Sequence, residues 1–100
     1  MTFKLEIKEE AKKDILAATK WYAEKQDGLN KRFIEQLENV LQVIVSNPKT
    51  YKKVYKQFRQ AALKKFPYVV LYEIELETII IYSVFQARQN PRKKIRRLKN

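Results

Sequence analysis

The chain has 100 residues, 45% of them hydrophobic, and 22 Lys/Arg against 11 Asp/Glu give a net charge of +11. A chain this short sustains one core, so one domain over residues 1–100 is expected, and no run approaches the roughly 18 apolar residues that span a bilayer. With no Cys and no His, disulfides, thiolate chemistry, the usual zinc sites and the ordinary neutral-pH general base are excluded; neither a cofactor nor a metal is expected.

Along the chain, Phe3–Ile7 alternates apolar and charged residues and predicts a short first strand at a sheet edge. Met1–Glu10 has no continuous apolar segment, so no secretory leader is expected and the expected compartment is the cytoplasm. From Glu9 the period changes. Ala11, Ile15, Ala18 and Tyr22 recur at helical spacing, with Glu9, Glu10 and Asp14 near the start and Lys20 and Lys25 near the end, as the helix dipole favours. Trp21 and Tyr22 read as core and hinge residues. Asp27-Gly28 is the stop, Gly28 being able to take the left-handed conformation.

Leu29, Phe33, Leu37, Val40, Leu41 and Ile44 form the stripe of a second helix, closed by Asn47-Pro48. Lys49–Gln57 reads as a loop or ragged edge strand, and Phe58–Lys65 as a strand leading through Phe66-Pro67. Tyr68–Ile74 and Thr78–Phe85 are rich in Val, Ile, Tyr and Phe and form a hairpin around Glu75–Glu77. On strict alternation, Tyr68, Val70, Tyr72 and Ile74 share one face; Ile79, Ile81 and Phe85 oppose Ile80, Tyr82 and Val84. Pro91 suits the first turn of a short last helix, expected to be ordered only when a partner neutralises its charge. The expected fold is α+β, β-α-α-β-β-β: an antiparallel sheet of about four strands with an N-terminal helical hairpin packed on one face.

The charge is unevenly placed. Residues 1–48 carry eight bases and eight acids, 49–65 seven bases and no acid, 66–87 three acids and no base, and 88–100 seven bases and no acid. Two basic segments therefore bracket the hairpin, and such a field attracts polyanions.

Certain residues occur in a characteristic order: Ala11…Asp14…Ala18…Trp21-Tyr22, Leu37…Asn47-Pro48, Arg59, Leu63-x-x-Phe66-Pro67-Tyr68-Val69-Val70-x-Tyr72, then Val84-Phe85 running into Arg88 and Pro91. In that order the chain resembles the RelE/ParE superfamily of type II toxin–antitoxin toxins, and within it the ParE-like branch. The resemblance implies a plasmid-stabilising type of module, a cognate acidic antitoxin in a hetero-oligomer, and DNA gyrase as the target. The alternative within the superfamily is a RelE-like ribosome-dependent mRNA endonuclease. Two of the three positions that such a nuclease uses do not match. Its strand-end arginine corresponds to Arg88, but its second arginine falls at Val69 and its tyrosine near Lys94, with no Tyr after Tyr82. A basic nucleic-acid-binding module without toxicity is the third reading.

Arg59, Arg88, Arg92, Lys93, Arg96 and Arg97 are the candidates for target binding, with Arg59 expected to present its guanidinium near Arg88 or to pair with Glu73 or Glu75. Lys52, Lys53, Lys56, Lys64 and Lys65 are the candidates for binding an antitoxin or other polyanion. No catalytic residue is assigned. Deleting Asn90–Asn100 is expected to cost little stability, as changes to a surface tail do.

Overall fold

The computed structural model describes residues 3–99, with side chains described as far as Arg96. Strand β1 (Lys4–Ile7) is followed by helices α1 (Glu9–Lys25) and α2 (Leu29–Ser46). Strands β2 (Lys53–Tyr55), β3 (Phe58–Ala62), β4 (Tyr68–Glu75) and β5 (Thr78–Gln86) come next, and helix α3 (Pro91–Lys99) closes the order. Gly28 takes φ +83° at the start of α2, so the α1–α2 turn uses the chain's one glycine where a left-handed residue is required.

The sheet is α+β in context and mostly antiparallel, but it has five strands in the order β1-β5-β4-β3-β2. The fifth is β2, three residues long and joined to β3 through an irregular register. The sheet is also mixed. β1 lies at the edge as expected, yet it pairs parallel to β5, from Lys4 opposite Thr78 to Ile7 opposite Ile81. β3 ends at Ala62, so the run to Lys65 is a turn, in which Lys65 takes φ +67°.

The two helices cover one face. Ala11, Ala18 and Tyr22 of α1 and Phe33, Leu37, Val40 and Ile44 of α2 pack on Val70, Tyr72, Ile79, Ile81 and Val84. Tyr22, Phe33, Phe66 and Tyr68 form an aromatic group with centroid spacings of 5.0–6.0 Å, in the range where edge-to-face pairs add to burial. The hairpin register corrects the strict alternation. Leu71 opposes Ser83 and Tyr72 opposes Ile81, leaving Tyr82 as the extra residue of a β-bulge. Val84 thus joins Ile79 and Ile81 on the helix face, and Phe85 turns to the other side.

That other face is covered in part by α3. Ile95 is buried against Phe58, Val69, Leu71 and Phe85. The basic tail is therefore an ordered helix packed on its own sheet, contrary to the expectation that ordering would await a partner. Burying Ile95 there, with Asn90 Oδ1 accepting from Arg92 N at the helix start, helps to hold the segment despite its like charges.

Candidate functional surfaces

The first basic segment forms a rigid flank rather than a floppy loop. Tyr72 Oη donates to the Pro48 carbonyl at 2.6 Å, and Arg59 Nη1 donates to the carbonyls of Tyr51 at 2.6 Å and Lys49 at 3.4 Å. These bonds tie the chain after α2 to β3 and β4. Burial pushes the Tyr72 phenol up to about 12, with Tyr51 adding and the Arg59 guanidinium opposing. Arg59 is thus a loop clamp. It pairs with neither Glu73 nor Glu75, and it does not meet Arg88. It is level with Tyr72 and hence with Ile81 of β5, while β5 runs on to Gln86 before Arg88 follows; at about 3.3 Å per residue the two arginines are more than roughly 15 Å apart.

Beyond the clamp, Lys52, Lys53 and Lys56 are exposed, and Arg92 reaches from α3 to the Tyr55 ring that Lys56 also approaches. Lys56 and Arg92 each lie 5.4 Å from the Tyr55 ring centroid, where the ring's quadrupole attracts both cations. The two basic segments, far apart in sequence, therefore converge on one end of the sheet. Lys93 and Arg96 are exposed on the same helix; the Arg97 side chain lies outside the described residues. Lys64 and Lys65 stand apart in the β3–β4 turn, where Lys65 borders a cleft with Leu29, Arg32 and Glu35 of α2. The remaining tyrosines of interest are engaged: Tyr51 packs on Tyr72, and Tyr82 packs on Phe58 and donates to the buried Glu73. Burial, followed by the charges of Glu73 and Glu75, raises the Tyr82 pKa.

A second feature lies along the part of β5 that β1 does not reach. There α1 substitutes for a strand: Asp14 Oδ2 accepts from Ser83 Oγ at 2.7 Å and from the Val84 amide at 3.0 Å. The helix face that carries Asp14 also carries Ala17, Ala18 and Trp21, and the two alanines leave room for a cleft of about 410 Å³. Gln86, Arg88, Gln89 and Lys94 line its other side. Arg88 is exposed, whereas Lys94 is largely buried, its Nζ 3.8 Å from Glu10 Oε2. Trp21, read from the sequence as core, is 51% exposed. Sequence reasoning missed Asp14, Trp21 and Lys94 as a group. The available signal was the spacing Asp14–Ala17/Ala18–Trp21, one helix face eight residues long with small residues in its middle.

Of the positions the resemblance assigns to a nuclease, Val69 is buried beneath α3. What the described surfaces offer chemically is hydrogen-bond donors and positive charge for binding anions. Among the described residues no group of acids is placed to hold a metal ion, and no helix is long and apolar enough to cross a membrane.

The fold has solved counterparts. A chain of the chromosomal ParDE toxin–antitoxin system from P. aeruginosa superposes with a TM-score of 0.72 at 14% identity, over 85% of this chain and 96% of that one. A free-state mutant of the E. coli toxin RelE superposes with a TM-score of 0.66 at 17% identity, over 97% and 98%. No curated protein matches the sequence. Residues 5–91 match the family described as the ParE toxin of the type II toxin–antitoxin system, parDE. That match runs from the second residue of β1 to the first residue of α3 and takes in both the clamp and most of the cleft, so the chain belongs to the ParE toxin family within the RelE/ParE superfamily.

Proposed function

We propose that this toxin acts in the cytoplasm, as a single domain, by binding and poisoning DNA gyrase without catalysing a reaction itself. The observation that carries the reading is the ParE family match over residues 5–91. The site chemistry supports it: the surface presents Arg88, Arg92, Lys93 and Arg96 as exposed cations, while the position of a nuclease-like arginine is the buried Val69. A cognate antitoxin completes the module, its acidic, initially disordered segment folding on the toxin and meeting Lys52, Lys53 and Lys56, with Lys64 and Lys65 as a separate contact.

The test sets a gyrase supercoiling assay beside a ribosome-dependent mRNA cleavage assay. Purified toxin is expected to stop supercoiling and to leave message intact. Arg88→Ala should weaken the inhibition at least tenfold, and Arg88→Lys should restore it only partly, because a lysine lacks the planar fork. Message cleavage with undisturbed supercoiling would assign the chain a RelE-like activity instead.

A further inference from the structure

The cleft beside β5 combines features that a surface made only for protein contact does not need. Two cations, Arg88 and Lys94, face one cavity of about 410 Å³, a volume within the range of small-molecule sites. Trp21, the chain's single tryptophan, stands half exposed at the same cavity, with Lys25 Nζ 4.7 Å from its ring centroid. Gln86 and Gln89 add amides that both donate and accept. The one acid, Asp14, already accepts two hydrogen bonds from β5 through Oδ2, so the cleft side chains keep an excess of one positive charge.

An aromatic plane beside paired cations suits a ligand that carries both a flat heteroaromatic ring and a phosphate. We propose that this cleft binds a 5′-phosphorylated nucleoside, its base laid on the face of Trp21 turned from Lys25 and its phosphate held between Arg88 and Lys94. Gln86 and Gln89 contribute hydrogen bonds to the base or sugar. Arg88 supplies the bidentate fork; Lys94, partly shielded from water and only loosely held by Glu10, supplies a second charge at low cost in ordering. A carboxylate from an acidic protein segment needs one cation and no ring platform, and therefore uses less of what the cleft presents. The inference is separate from the choice of toxin target, because its readout is binding and not growth.

Trp21 makes the test direct. The full chain is titrated with AMP and GMP while Trp21 fluorescence is followed, with adenosine and inorganic phosphate as the two halves of the ligand. Saturable quenching by the nucleotides is expected, with each half at least tenfold weaker. Arg88→Ala and Lys94→Gln should each weaken binding at least tenfold, whereas Lys31→Ala, which removes an equal charge from the exposed surface of α2, should leave it unchanged. Calorimetry on Trp21→Leu, with circular dichroism to confirm that the fold survives loss of the edge contact with Tyr22, should show a comparable loss. A 5′-phosphorylated oligonucleotide that binds more tightly than AMP, and more tightly than its 5′-hydroxyl form, would identify the source as a strand end; the reverse order would identify a free nucleotide. Absence of saturation, an equal loss in Lys31→Ala, or displacement of AMP by polyglutamate at equal charge concentration would overturn the proposal. If AMP does not bind but Arg88→Ala still abolishes gyrase inhibition, only the nucleotide site falls.

Discussion

At Tyr72 the phenol has no exposed surface and gives its proton to the Pro48 carbonyl, so ionising it destroys a bond and buries a charge. Its pKa, about 12 in the fold, lies above the ordinary 10.0 of an unfolded tyrosine. The neutral phenol therefore contributes stability that is complete below pH 10 and disappears as pH rises through 12. Two units correspond to about 3 kcal/mol. An absorbance titration of tyrosinate should show one of the six tyrosines ionising near pH 12, and Tyr72→Phe should remove that late step. Arg59 illustrates why this part was illegible. A cation in a basic segment looks available for a target, and its real partners are main-chain carbonyls eight and ten residues back, which carry no side-chain signature.

Among the elements, the two helices and the hairpin were readable because their apolar residues repeat at 3.6 and 2. The β-bulge at Tyr82 was not, since Ile, Tyr, Ser and Val are acceptable on either face and nothing in their order marks the slip. The last helix was misjudged for a different reason. Its charge suggested a solvated tail, while Ile95, among its described side chains, is buried against the sheet. Deleting Asn90–Asn100 exposes Phe58, Val69, Leu71 and Phe85 together, so the truncation should be markedly destabilised and not neutral. Ile95→Ala isolates the contribution: urea unfolding should show a loss of about 2 kcal/mol or more. Arg96→Ala, at an exposed position on the same helix, should change stability by less than about 0.5 kcal/mol. Any assay of a truncated toxin must therefore separate loss of contact from loss of fold.

For the whole molecule, the division of charge read from the sequence has a spatial counterpart, because α3 brings Arg92 to the flank that carries Lys52, Lys53 and Lys56. Charge concentrated in this way chiefly accelerates the encounter with an acidic partner. The association rate with the cognate antitoxin should fall at least tenfold between low and high salt, with a much smaller change in the dissociation rate; stopped-flow measurement checks both. A rate insensitive to salt would remove charge from the account. The cleft was harder to see than this flank, since it is assembled from α1, the end of β5 and α3, and nothing in the sequence of any one of them shows that the three meet.

The parallel pairing of β1 with β5 joins the first strand to the last across some seventy residues of chain. Synthesis at about 5–20 residues per second separates the two by several seconds. During that interval Lys4–Ile7 has no partner strand, and Asp14 has neither the Ser83 hydroxyl nor the Val84 amide to accept from. The sheet closes last of all. The residues that close the sheet are thus made some seventy residues after the strand they pair with, and the N-terminal segment stays unpaired until they emerge. Limited proteolysis of nascent chains that end before Thr78 or after Gln86, each extended by a linker long enough to clear the ribosomal tunnel, should show the N-terminal strand becoming protected only in the longer one.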